Sequence, residues 1–168
     1  MQPPPDPKDP QKSRPPLPEM LGATNHPFEI GPGTTEIQLT LQAPGGPARS
    51  TTESKPAEVT LRVENITGEK VAPSFIVYLN VPQGETPTKY PELMAGTVGL
   101  FGLVESSHPD SMNGGAGLSF KFNITEVYGV LIASKRWDPR NLKISLVPTF
   151  WDVPVPRVRV GRISLYFQ

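Results

Sequence analysis

The 168-residue chain has no cysteine. That excludes disulfides, thiolate metal sites, iron–sulfur clusters and a cysteine nucleophile, and it is compatible with a reducing compartment such as the cytoplasm. Two histidines, His26 and His108, cannot by themselves build a multi-histidine copper or zinc centre. No run approaches the roughly 18 apolar residues that a membrane-spanning helix needs. Met1-Gln2-Pro3-Pro4-Pro5 offers neither the basic nor the apolar region of a secretory signal. The 16 basic and 16 acidic side chains cancel, so no overall charge draws the chain to nucleic acid. Neither nucleic acid nor a membrane is expected as a partner.

Proline is abundant, with 22 residues, and glycine follows with 15. Residues 1–27 hold nine of the prolines. Proline lacks an N–H donor and fixes φ, so neither a helix nor an inner strand is expected there. The segment reads as an extended linker or tail, with Pro15-Pro16-Leu17-Pro18 as a possible polyproline ligand. The folded domain is expected over residues 28–168. Charge is unevenly spread: residues 135–168 carry seven Lys/Arg against two acids, and residues 29–134 carry six against eleven. A basic C-terminal edge facing an acidic neighbour, or a solvated sheet face, would account for this.

After residue 28 a period of two dominates. Ile37, Leu39 and Leu41 alternate with polar residues, as do Val59, Leu61 and Val63, then Leu118, Phe120, Phe122 and Ile124, then Leu142, Ile144 and Leu146. Residues 74–81 are apolar on both faces and predict a central strand; residues 95–103 form another apolar run. In the last segment the phase changes between Val160 and Ile163, and Gly161 at the change suggests a β-bulge. One helix is expected after Asn123, with Glu126 at capping-box spacing and Val127, Val130, Leu131 and Ser134 on one face. Trp137-Asp138-Pro139 ends it. The pattern predicts an all-β antiparallel sandwich or barrel of about seven strands with one short helix. Its expected core is Leu39, Leu61, Val77, Leu79, Phe120, Phe122, Leu131, Ile144, Leu146 and Ile163.

Chemistry is sparse. Asn113-Gly114-Gly115-Ala116-Gly117 lacks the Lys-Ser/Thr of a phosphate loop and reads as a flexible loop tip. Ser106 to Ser111, around His108, reads as a turn rather than a catalytic triad. Asp110, Ser111 and Asn113 form a weak calcium candidate. Asn65-Ile66-Thr67 and Asn123-Ile124-Thr125 match the N-glycosylation pattern, but the first reads as a hairpin turn with Gly68 and the second as a helix cap. Trp137, Trp151, Tyr78 and Tyr166 are scattered and suit packing better than a ligand platform.

The order of these segments resembles the β-rich domain that follows the dicopper domain in tyrosinases and polyphenol oxidases. The resemblance covers residues 17–168. Leu17-Pro18-Glu19-Met20-Leu21-Gly22-Ala23-Thr24 is similar to the linker of bacterial long-form tyrosinases. Phe75-Ile76-Val77-Tyr78-Leu79-Asn80 resembles a plant K-F-D-V-Y-V-N strand, with Ile76 in place of its Asp. Ala95-Gly96-Thr97-Val98, Phe122-Asn123-Ile124-Thr125-Glu126, Leu142-Lys143-Ile144-Ser145-Leu146-Val147-Pro148 and Val160-Gly161-Arg162-Ile163 resemble further steps of the same domain.

The resemblance implies a non-catalytic accessory domain, not an enzyme by itself. It would cover the copper-site entrance of a tyrosinase-like phenol oxidase, giving latency, or stabilise that enzyme. The chain would hold no catalytic or metal residues. Two copper ions would belong to the partner, a dicopper oxidase domain in the same polypeptide or separated from it by cleavage. A covering loop is expected to be apolar, with Phe101 and Leu103 as first candidates and Leu93 and Met94 as second. A free-standing β-sandwich binding module, for example for carbohydrate, is the alternative.

Overall fold

The computed structural model describes residues 17–42, 55–150 and 156–168. Expectations for residues 1–16, including Pro15 and Pro16, and for Trp151 lie outside these. Among the described residues nine strands form two antiparallel sheets that pack as a sandwich, with no closed barrel. β4 (Val59–Gly68) and β9 (Val158–Phe167) form the centre of the first sheet. β7 (Leu118–Asn123) pairs with β4 on one side; β1 (Glu19–Ala23) and β2 (Phe28–Ile30) pair in succession along β9 on the other. The second sheet runs β3 (Thr35–Leu39), β8 (Leu142–Pro148), β5 (Phe75–Leu79), β6 (Met94–Val98). Residues 74–81 do supply a central strand, flanked by β8 and β6.

The core lies between the sheets and collects their apolar phases: Leu61, Val63 and Ile163 from one, Val77, Leu79, Ile144 and Leu146 from the other. Leu39 and Leu131 are buried with them. Phe120 and Phe122 depart from expectation, being only partly buried at the rim. They sit on the edge strand β7, where one face of each ring has no neighbouring strand to cover it. Their rings stack at 6.3 Å, and Phe122 lies over Gly96 of β6, in the space a Cβ would need.

Five further expectations are corrected. The sheet begins at Glu19, inside the stretch expected to be linker. Residues 19–26 contain no proline, so their N–H groups are free to pair with β9, which otherwise would present an open edge. The run at 95–103 stops as a strand at Val98. Asn65 to Gly68 is the end of β4 rather than a hairpin turn. Asn65 takes a left-handed φ of 56° and the register against β7 shifts between Val63 and Ile66. The bulge expected at Gly161 is not there: β4 and β9 keep one register across it, Glu64 pairing with Arg162 and Ile66 with Val160, and the shift falls on β4 against β7; glycine is needed at 161 because a Cβ would come 2.6 Å from that of Asn65. Finally, the described residues hold two α-helices where one was expected: α1 (Leu103–Ser107) and α2 (Thr125–Ala133), with 3-10 turns at Pro87–Lys89 and Pro91–Leu93. α2 starts where Asn123 accepts hydrogen bonds from the Thr125 N–H (3.0 Å) and hydroxyl (2.7 Å), and it buries Val127 and Leu131.

Candidate functional site

Strand register separates the sandwich into two ends. At one end Gly68 pairs with Val158, Ile66 with Leu118, and Phe75 with both Val98 and Pro148. The connections at residues 69–74, 99–117 and from 149 onward all leave from this end. Each carries an exposed large apolar side chain: Val71, then Phe101 and Met112, then Phe150. Water gains nothing from such residues, and four of them on neighbouring loops mark a face suited to a partner.

The connection 99–117 is firmly tied down. Phe101 stands on a turn that requires Gly102 at φ 77°, and it is 100% exposed. Two residues on, Leu103 opens α1 and is 1% exposed. It packs so closely on Gly68 that a Cβ there would lie 2.7 Å from Leu103 Cδ2. Ser107 donates to the Leu103 carbonyl (2.6 Å) and accepts from the Gly68 N–H (3.0 Å). The glycine-rich tip is hydrogen-bonded rather than loose. Gly115 N–H donates to Ser111 Oγ (3.0 Å) and Asn65 Nδ2 to the Ala116 carbonyl (3.2 Å). Gly117 needs its φ of 80°, and any side chain there would strike the Ile66 carbonyl.

The four expected covering residues are thus not brought together. Phe101 is presented; Leu103 is its buried anchor. Leu93 is 0% exposed, and Met94 is 42% exposed at the opposite end of β6. A covering side chain must be free to leave its own domain's surface, so Leu103 and Leu93 do not qualify. Sequence alone could not separate them, because an apolar residue in a connection has the same signature whether it anchors the loop or projects from it.

Beside this face lies a cleft of about 680 Å³ lined by Lys70, Arg157 and Arg159 together with Glu29 and Glu69. Its charge is mixed. The basic excess of residues 135–168 is not one edge: Lys143 bonds Glu36 across the second sheet (3.4 Å), and Arg136 lies 6.0 Å from the Tyr90 ring.

The remaining candidates have local structural tasks. His108 Nδ1 accepts from the Asp110 N–H (3.2 Å), and the Ser106 hydroxyl donates to the Leu103 carbonyl (3.1 Å). Ser111 donates to the Ser106 carbonyl (3.4 Å). Among the described residues no three His, Asp or Glu side chains gather as a metal site. Trp137 packs edge-on to Tyr128 (4.7 Å), which in turn meets Phe167 (5.4 Å). This partial burial pushes the Tyr128 hydroxyl above its ordinary pKa by desolvation. Tyr166 lies under the Arg62 guanidinium at 4.5 Å. Both sequon asparagines are engaged by their side chains, Asn65 with the Ala116 carbonyl of the 99–117 connection and Asn123 with Thr125 at the start of α2.

An all-β antiparallel sandwich that presents exposed apolar side chains on loops at one end is the class that fold and site define. The chain belongs to the family described as Domain of unknown function (DUF7868), which matches residues 17–168. It is 26% identical over 156 residues to tyrosinase HcTyr1 of Hahella sp. (strain CCB-MM4), covering 91% of this chain and 33% of that protein. Its fold is shared with recombinantly expressed latent aurone synthase, a polyphenol oxidase, at 17% identity and a TM-score of 0.52. That match covers 83% of this chain and 25% of the other. Latent aurone synthase from its natural source gives 16% identity and a TM-score of 0.50. The chain therefore spans about a third of the curated relative it matches. These similarities fit a tyrosinase C-terminal domain and support a tyrosinase-associated role.

Proposed function

We propose that this chain is a non-catalytic accessory domain of a tyrosinase-like dicopper phenol oxidase, and that it covers the entrance to the copper site. The oxidase domain would lie in the same polypeptide or be separated from it by cleavage, and it would supply both copper ions. The observation that carries the reading is Phe101: a fully exposed phenyl ring on a turn fixed from beneath by Leu103, on the face that also presents Val71, Met112 and Phe150. A phenol oxidase must admit an aromatic ring, and an aromatic side chain held at its mouth competes for the same space. Carbon and hydrogen alone offer copper no ligand, so such a plug blocks without poisoning.

The test compares phenol turnover of the dicopper domain with and without this chain. Adding the chain should suppress turnover. Phe101→Ala should relieve most of the suppression, because truncating a central interface aromatic costs about 2 kcal/mol or more, roughly 30-fold in affinity. Unchanged turnover on adding the chain would defeat the covering role.

A further inference from the structure

We propose that Asn113 is a self-modifying site: it loses its amide by intramolecular deamidation when the 99–117 connection opens, and is held back while that connection is closed. The chain has six asparagines, and Asn113 alone is followed by glycine. Glycine has no Cβ to shield its N–H, whereas a His, Ile, Val or Leu follows each of the others. Asn113 and Gly114 are both exposed. The side chains of Asn65, Asn80 and Asn123 are hydrogen-bonded. That of Asn113 has no such bond among the described residues.

The reaction needs only water. The Gly114 backbone nitrogen attacks Asn113 Cγ and loses its proton. The Cγ–Nδ2 bond breaks and the amide nitrogen leaves as ammonia, closing a succinimide ring. Water then opens the ring at either of its carbonyls, leaving aspartate or isoaspartate.

Two successive turns hold the reacting atoms apart. The Gly114 N–H donates to the Ser111 carbonyl (2.9 Å), and the Ala116 N–H donates to the Asn113 carbonyl (3.1 Å). The second turn carries Gly114 at φ 60° and Gly115 at φ 79° in its centre. The first places Asn113 third, where a turn keeps ψ at about 0°. Ring closure requires rotation about that bond to bring the nitrogen onto Cγ, and the rotation breaks both hydrogen bonds. It also requires the Gly114 N–H to give up its proton while the Ser111 carbonyl holds it. The Ser111 hydroxyl clamps the two turns: it accepts from the Gly115 N–H (3.0 Å) and donates to the Ser106 carbonyl (3.4 Å).

The product changes the face that presents Phe101. A carboxylate appears beside the exposed Met112, and isoaspartate also lengthens the backbone by a methylene, which puts both turns out of register. A charge at an apolar contact weakens docking, so the reaction would release a covered oxidase irreversibly, according to the time the connection has spent open. That consequence rests on the reading above; the reaction does not.

The experiment incubates the full chain at neutral and at alkaline pH, folded or in urea. Mass spectrometry of its peptides reads the single mass unit gained, and enzymatic methylation reads isoaspartate. Asn113 should be the first asparagine to react, and faster at alkaline pH. It should react at least roughly tenfold more slowly in the folded chain than in urea, the factor that two net hydrogen bonds set. Ser111→Ala keeps the Asn-Gly pair and removes the clamp, so it should raise the folded rate about threefold or more. Asn113→Gln should abolish the signal. Another asparagine reacting first, or no reaction at position 113 in urea, overturns the site. Equal rates in the folded and unfolded chain, or no effect of Ser111→Ala, overturn protection by the turns. For the consequence, the Asn113→Asp chain and the unsubstituted chain are each added to the dicopper domain. Asn113→Asp should suppress phenol turnover less. Equal suppression by both overturns the loss of docking while the reaction stands, and suppression by neither overturns the covering role, again without touching the peptide result.

Discussion

Phe101 and Leu103 are two positions apart and have opposite relations to solvent. Leu103 fills space against Gly68 and is 1% exposed. Leu103→Ala should therefore cost about 2–5 kcal/mol, the range for a buried leucine left as a cavity. Phe101 touches no core, so Phe101→Ala should change stability by less than about 0.5 kcal/mol. Urea unfolding of the two variants checks the pair. A large loss at Phe101 would show that its ring packs on its own domain and is no plug. Phe122 sits between these cases. Its ring is partly buried over Gly96, so Phe122→Ala should fall short of the roughly 3–5 kcal/mol typical of an interior phenylalanine. The alternation in Leu118–Ile124 made the phase of β7 legible. It could not show that β7 is an edge strand, because the missing neighbour is a fact of topology and leaves no mark on a period of two. Which of Phe101 and Leu103 is buried was illegible for a related reason: which of two apolar loop residues turns inward depends on Gly68, thirty-five positions away.

At the scale of elements, the pairing of β4 with β7 is reinforced by charge. Lys121 of β7 bonds Glu58, the residue before β4, at 3.2 Å, and Thr60 of β4 donates to the same carboxylate at 2.9 Å. The Thr60 hydroxyl, then Lys121, hold the Glu58 carboxyl below its ordinary value of 4.5. A carboxyl whose folded pKa is depressed contributes stability that is complete above its unfolded value and is lost as pH falls through the folded one. Glu58→Gln should therefore flatten the acid limb of the stability curve below about pH 4.5 and leave its slope near neutrality unchanged. Denaturation across that range reads this directly, and an unaltered acid limb would show the contact is not kept in solution. The strands themselves were readable because alternation of apolar and polar residues is a local property. The bulge at Asn65 was not. An Asn-Ile-Thr-Gly sequence suits a tight turn, yet Ile66 is wholly buried opposite Val160, and the pull of the core on that side chain keeps the strand running through one left-handed residue.

The whole molecule closes on β1, and the least legible boundary of the sequence lies there. Prolines on both sides of residues 19–26 made the segment look unfoldable, since local propensity registers the absence of donors but not the open edge of β9 that the intervening donors can reach. The structure fixes what β1 contributes. Leu21 is buried, the Thr24 N–H donates to the Ile163 carbonyl (2.8 Å), and the Ile163 N–H donates to Thr24 Oγ (3.1 Å). The Gln42 N–H donates to the Leu21 carbonyl (2.7 Å), tying the end of the β3 region to the first sheet. Burial of one leucine is worth about 2–5 kcal/mol when lost to a cavity, and each net hydrogen bond adds about 0.5–1.5 kcal/mol. The sum approaches the roughly 5–15 kcal/mol that holds a typical domain together. A chain beginning at residue 17 should therefore unfold in one cooperative transition with the stability of the full chain. A chain beginning at residue 28 should be largely unfolded at room temperature, or should associate through the bared half of β9 from Ile163 to Phe167, which presents unpaired N–H and C=O groups. Circular dichroism during urea titration, paired with light scattering, distinguishes the two chains. Equal midpoints would mean that β1 adds no net stability and that the functional domain does start at residue 28.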